Sequence, residues 1–215
     1  MLDLEAETRP FNIADTSEMQ MMKTGALVPC AVTSGGVGGG AAHELWPGAA
    51  THDDAAIRIR LVAQLAGASG LAGMAGGQML HLEAETRPFN LAETSEMQMM
   101  KTGALISCAV ISGGIVGGAD DQLLAAQAAY AKHLGLAFQI ADDLLDYDGD
   151  SALLGKPAGQ DAARGKAGFV ALMGGDAAAV EAKRLIDEAN DALAPWQGAG
   201  EYMQELAIFA ITRKT

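Results

Sequence analysis

Apolar positions along this chain recur at three- and four-residue intervals rather than alternating, a period that gathers side chains on one side of a helix. Ala178, Ala182, Leu185, Ala189 and Leu193 form one such stripe. They predict a helix over about Asp176–Leu193, with Asp176 as its cap. Upstream, "HELWPGAATHDD" (His43–Asp54) reads as a loop, and Ala55–Leu82 as one long helix. Gly67, Gly70, Gly73 and Gly76 recur within it at close to helical spacing. Glycine weakens a helix, so these positions are expected to admit a closely approaching neighbour. A further helix is predicted from Asp121 to about Tyr147, then a polar, glycine-rich loop, "GDSALLGKPAGQDAARGK", and a last helix at about Gly200–Thr212. No stretch has the period of a strand.

One segment is repeated. Met1–Ala41 returns as Met79–Ala119, with 33 of 41 positions identical. Each copy reads as helix, turn, helix, with the break at "RPFN" (Arg9–Asn12 and Arg87–Asn90). The second helix of copy 2 is expected to be capped by Thr94 or Ser95, with Glu96 adding early negative charge. Pro29 stands in copy 1 where copy 2 has Ser107. Proline disrupts a helix interior, so copy 2 is the expected working copy. Two copies with a different segment between them are not a solenoid.

Composition agrees with the period. Half the residues are hydrophobic and only 5% are aromatic. With abundant alanine, this predicts an all-α helical bundle rather than a sandwich or barrel. The formal net charge is -13, which repels a phosphate backbone and argues against nucleic acid as a partner. An anionic ligand would need metal ions between itself and such a surface. "MLDLEAETRP" lacks the basic and apolar regions of a signal peptide. Cys30 and Cys108 occupy equivalent repeat positions and read as small core residues of a reduced, cytosolic protein. "GALISCAVISGGIVGGA" (Gly103–Ala119) carries no charge for 17 residues, just below spanning length. It reads as a buried core helix running into a glycine-rich turn, not as a transmembrane segment.

The segment that changes the picture is "FQIADDLLD" (Phe138–Asp146). Gln139, Asp142, Asp143 and Asp146 fall at i, i+3, i+4 and i+7, one face of a helix. Leu134, Leu136, Phe138, Ile140, Leu144 and Leu145 cover the rest. Three carboxylates on a helix packed on most sides repel one another and lose hydration. A hard cation would neutralise them. Mg²⁺ suits carboxylate oxygens and completes its shell with water and phosphate, so the ridge predicts a metal–diphosphate site.

Rival motifs fail on their own chemistry. "DYDGDS" (Asp146–Ser151) opens like a calcium loop but has Ser151 where glycine is required and Pro157 at the last ligand position. "GVGGGA" (Gly36–Ala41) follows no strand, and the glycines of a P-loop do not precede Lys101. His43, His52, His81 and His133 are scattered along the chain and read as structural or exposed.

Four stretches, in order, resemble the polyprenyl synthetase family of the bacterial farnesyl/geranylgeranyl diphosphate synthase type. They are "GLAGMAGGQML" (Gly70–Leu80), "MQMMKTGALI" (Met97–Ile106), "LGLAFQIADDLLDYDGD" (Leu134–Asp150) and "LGKPAGQDAARGKAGFV" (Leu154–Val170). The resemblance implies an all-α bundle of the isoprenoid synthase type around a deep cavity, usually dimeric. It implies condensation of an allylic diphosphate with isopentenyl diphosphate, with Mg²⁺ drawing off the diphosphate. By the same resemblance Asp142, Asp143 and Asp146 hold Mg²⁺. Lys101 and Thr102 contact the allylic diphosphate, Phe138 and Gln139 line the site, and Lys156 and Lys166 close over it.

The chain also departs from that pattern. A first aspartate-rich motif with paired arginines after it is not found; Asp53-Asp54 and Asp120-Asp121 each lack a third aspartate four residues on. The resemblance therefore implies a truncated bundle: residues 1–45 as the duplicated segment and 46–215 as the C-terminal half of a synthase domain. Weak stand-alone activity is expected, with a homodimer or a pairing with a full-length synthase as the assembly. A non-catalytic prenyl-diphosphate-binding subunit and a degenerate fragment are the alternative readings.

Overall fold

The computed structural model describes residues 52–154, 168–196 and 200–213. Copy 1 of the repeat, with Pro29 and Cys30, lies outside the described residues, as do Lys156 and Lys166.

Helix α1 (Ala55–Ser69) begins where Asp54 accepts a hydrogen bond from the Ala56 N–H at 2.8 Å. The single long helix expected over Ala55–Leu82 is in fact two. After Ser69 the chain turns, and α2 (Met74–Ala84) starts anew. Gly73 explains the break, since a Cβ there would lie 2.1 Å from the Ala68 carbonyl oxygen. Only a residue without a side chain fits so tight a return.

"RPFN" is a break, as expected. Arg87 pairs with Glu83 at 3.0 Å and Glu93 at 2.7 Å and lies 4.5 Å from the ring of buried Phe89. Helix α3 (Leu91–Gln98) is capped by Asn90 rather than by Thr94 or Ser95. The Glu93 N–H donates to Asn90 Oδ1 at 3.0 Å, and the Asn90 N–H donates to Glu93 Oε2 at 2.8 Å. This reciprocal box satisfies two helix-end donors at once.

A π-helical turn (Met99–Gly103) joins α3 to α4 (Ala104–Val116) without interruption. The combined helix Leu91–Val116 is long and apolar enough to cross a membrane by length and composition, but 61% of its most apolar window is buried inside the fold. It packs on α1 and on α5 (Asp121–Leu154). A left-handed Gly118 (φ 73°) ends the glycine-rich turn after it. Helix α5 runs past the end expected near Tyr147.

Helix α6 (Phe169–Met173) turns directly into α7 (Gly175–Ala192) through Gly174, whose φ is 85°. Gly174 therefore occupies the cap position, and Asp176 sits inside the first turn. Helix α8 (Glu201–Thr212) closes the described chain. The described residues contain helices and no strand.

The core forms around α5, which α4, α7 and α8 pack against. All five residues of the α7 stripe are buried, together with Ile186. Tyr130 on α5 is fully buried and donates its hydroxyl to the Met203 carbonyl on α8 at 2.6 Å. One turn earlier on α5, a Cβ at Gly114 would meet Gln127 Oε1 at 1.9 Å, so glycine lets α4 and α5 draw close. This arrangement fixes the rotation of α5 and hence the direction of its acidic face.

Candidate functional site

Lys101 is the third residue of the π turn, and Thr102, the next, is buried. A π turn holds one extra residue per turn and often occurs at functional sites. Here it is clamped from two sides by glycine. A Cβ on Gly77 of α2 would lie 2.2 Å from the Lys101 backbone nitrogen. A Cβ on Gly135 of α5 would lie 3.1 Å from Gly103 Cα. The lysine-bearing turn is thus held between α2 and α5 by backbone contact on both sides.

Gly135 also locates the turn relative to the acids. Gly135, Gln139, Asp142 and Asp146 stand at i, i+4, i+7 and i+11, one face of α5. The turn rests on the first of these positions, and the acids follow along the same face. Phe138 and Gln139 are buried between them. Three residues that sequence reasoning passed over belong to the same region. Gln78 Oε1, Thr94 Oγ1 and Gln98 Oε1 are buried polar atoms without a hydrogen-bond partner among the described residues. Gln78 adjoins Gly77, while Thr94 and Gln98 precede Lys101 on the same continuous helix. Unmatched buried polar atoms cost about 1–3 kcal/mol each; Gln127 on α5 and Asn190 on α7 carry them too.

The acidic ridge was expected in a packed interior, but it leaves the core as it runs. Ala141 is buried, Asp143 is half-buried, and Asp142 and Asp146 are exposed. Asp142 Oδ1 accepts from Arg213 Nη2 at 3.1 Å, its side chain remaining 54% exposed. Asp143 Oδ2 accepts from the Phe169 N–H at 2.6 Å, at the start of α6. Gly168 beside it has no room for a Cβ, which would stand 2.7 Å from the same oxygen. One acid of the ridge therefore ties down α6, a second meets the C-terminal arginine, and the third lies a turn further on.

Among the described residues no three His, Cys, Asp or Glu side chains converge as a complete metal cage. Mg²⁺ does not require one, since it binds through one or two carboxylates and keeps water and phosphate as its other ligands. Asp142 and Asp146, hard oxygen donors at i and i+4 on the open part of the face, fit that demand. Away from this site, Cys108 is buried on α4, and its thiol is pushed up by burial, with the nearby Ser112 hydroxyl acting weakly in the opposite sense. It is a core residue, as expected. His133, earlier on α5, pairs with Glu188 of α7 at 3.2 Å.

The family described as Polyprenyl synthetase matches residues 58–194, the span that contains α2, the π turn, the acidic ridge and α7. The chain belongs to this family. It is 44% identical over 137 residues to farnesyl diphosphate synthase of Escherichia coli (strain K12), covering 63% of this chain and 46% of that protein. It is 40% identical over 156 residues to a dimethylallyltranstransferase of Fischerella ambigua, covering 72% of this chain and 45% of that protein. Among solved structures, an FPP/GFPP synthase from Zymomonas mobilis superposes with a TM-score of 0.65 at 37% identity, over 74% of this chain and 52% of that one. A geranyltransferase from Helicobacter pylori complexed with magnesium and isoprenyl diphosphate superposes with a TM-score of 0.60 at 30% identity, again over 74% and 52%. The polyprenyl synthetase chain thus spans about half the length of the relatives it matches. The all-α isoprenoid synthase fold that the sequence led one to expect is the fold it has.

Proposed function

We propose that this polyprenyl synthetase chain carries the allylic-diphosphate half of a prenyltransferase site. The reaction is condensation of an allylic diphosphate with isopentenyl diphosphate. The observation that carries the reading is the double glycine clamp, which fixes the Lys101 turn on the same face of α5 as Gln139, Asp142 and Asp146. The relatives' names, and the solved relative that holds magnesium with isoprenyl diphosphate, support the same chemistry.

In this reading the Lys101 ammonium and the Thr102 hydroxyl bind diphosphate oxygens, and the backbone clamp keeps them from moving as charge develops. Gln139 orients the group from the buried side, and Phe138 keeps water from the reacting carbon. Asp142, Asp143 and Asp146 are the residues that would hold Mg²⁺, which when bound offsets the negative charge growing on the departing diphosphate. Lys156 and Lys166 are assigned to closure over the site by their place in the motif. We place the chain in the cytosol, as a homodimer or paired with a full-length synthase. Exposed apolar Ile59, Val62 and Leu71, at α1 and the turn after it, are consistent with a second chain there.

One observation favours a second reading. The 215 residues contain a single aspartate-rich motif of the DDxxD kind, and Asp142 and Asp143 meet Arg213 and the Phe169 N–H within the fold. A chain with one half of the charge-handling groups would bind a prenyl diphosphate with little or no turnover, as a subunit of a larger assembly. Calorimetry separates these outcomes. Geranyl diphosphate with Mg²⁺ should bind the wild-type chain, and Lys101→Met should weaken it about tenfold or more, the usual loss for a charge-assisted contact. Product formation on adding isopentenyl diphosphate would select the enzyme, and binding without product the subunit. No heat with Mg²⁺ and geranyl diphosphate would end both.

A further inference from the structure

Arg213 lies 71 residues from Asp142 in sequence, yet it reaches the ridge from the end of α8. Its guanidinium makes three contacts there. Nη2 donates to Asp142 Oδ1 at 3.1 Å, the guanidinium carbon stands 4.1 Å from the centre of the Phe138 ring, and Nη1 donates to the Ala210 carbonyl. Only 18% of the arginine side chain is exposed, against 54% for its partner. A mostly buried guanidinium with all of these contacts is a placed group, not a surface charge that happens to lie near an acid. Phe138 and Asp142 are both residues of the proposed site, and both are held by the same side chain.

The geometry points to Arg213 as a latch, a positioning residue that occupies Asp142 as its resident counter-ion and fastens the C-terminal end of α8 across the acidic ridge. An Asp142 oxygen that accepts from a guanidinium is not available to a divalent cation in the same geometry. A cation that takes Asp142 Oδ1 displaces Arg213 from Asp142, and displacement releases the stack on Phe138. Loading the ridge and freeing the C-terminal end of α8 become one coupled event. This inference rests on the assignment of the ridge as a cation site, but that assignment alone does not require it.

The test uses Mn²⁺, whose free ion is counted directly by its electron paramagnetic resonance signal, with the full 215-residue chain. Wild-type protein should bind Mn²⁺, and Asp142→Asn should weaken it. Arg213→Gln should tighten binding by about two- to fivefold, the range set by what a part-exposed ion pair contributes. Arg213→Met retains an apolar stem over Phe138 and should show the same gain, which guards against a folding defect in the glutamine variant. Arg213→Lys keeps the charge and should return affinity toward wild type. The decisive readout is non-additivity, because Arg213→Gln should bring no gain in the Asp142→Asn background. Arg184→Gln, the same charge change on the outer face of α7, should have no effect.

A gain that persists without Asp142, or that Arg184→Gln reproduces, would mean general electrostatics and overturn the latch. Unchanged or weaker Mn²⁺ binding in both Arg213→Gln and Arg213→Met would also overturn it while leaving the cation site intact. Absence of Mn²⁺ binding in wild type and all variants would remove the site and the latch together.

Discussion

Along α7, Ala178, Ala182, Leu185, Ala189 and Leu193 sink into the core by ordinary side-chain packing, whereas between α2, the π turn and α5 the contact is made by glycine, backbone against backbone. The two regions solve different problems. A side-chain interface gains stability from buried area and relaxes when a side chain is trimmed. A glycine crossing buries little, but it sets the distance between two backbones to a fraction of an ångström and has no slack for additions. The first holds the bundle together, and the second fixes where Lys101 stands relative to Gln139 and Asp142.

If that contrast is right, trimming α7 should damage stability and spare binding. Leu185 is buried at 3% exposure in the middle of the stripe. Leu185→Ala should destabilise the fold by about 2–5 kcal/mol, the usual cost of lost burial plus a cavity. Urea denaturation would give that loss, while Mn²⁺ affinity of the remaining folded protein stays as in wild type. A parallel loss of affinity would show that the two regions are not separable.

Adding one methyl at the crossing should do the reverse. Gly77→Ala puts a Cβ against the Lys101 backbone, where no flexible side chain can yield. Its cost in stability is smaller, about 1–3 kcal/mol for overpacking, but it should also weaken geranyl diphosphate binding because the lysine turn must shift. Gly67 makes the sharpest comparison. Among the described residues nothing lies within 4 Å of a Cβ there, so Gly67→Ala should stabilise α1 by about 0.5–1 kcal/mol and leave binding unchanged. Two glycine-to-alanine changes ten residues apart thus carry opposite signs, measured by the same denaturation curves.

The same contrast explains what could be read from the sequence. The α7 stripe has a local period, and every residue in it is buried. The spacing of Gln139, Asp142, Asp143 and Asp146 is also local, so their common face was legible. The break at Gly73 was not, because a glycine inside an apolar run is compatible with both a close neighbour and a turn; Gly77 meets the neighbour, Gly73 makes the turn, and Gly76 faces both Leu71 in the turn and Met100 of the neighbour. The cap at Asn90 was readable in principle. Asn followed three residues later by Glu93 is a capping-box signature, overlooked in favour of Thr94 and Ser95. The Arg213–Asp142 pair and the Phe169–Asp143 hydrogen bond join residues far apart along the chain, and no periodicity records them.

The smallest effect lies where α3 starts, just ahead of the π turn. The Glu93 carboxyl is held below its ordinary range, first by the Asn90 backbone N–H that donates to it and then by the Arg87 guanidinium. A carboxyl with a lower pKa folded than unfolded adds stability that is complete above its unfolded value, near pH ~4.3. That contribution is lost as pH falls through the lower, folded value. Glu181 on α7 is depressed in the same direction by Arg184, so the two regions each have one such group. Thermal midpoints recorded from neutral pH down into this acid range should therefore fall less steeply for Glu93→Gln than for wild type. Glu181→Gln should flatten the curve in the same sense. Only the Glu93 change should loosen the start of the helix that carries Lys101, visible as faster amide hydrogen exchange at Glu93 and Thr94. Equal exchange in both variants would mean that the capping box does not hold the start of the Lys101 helix.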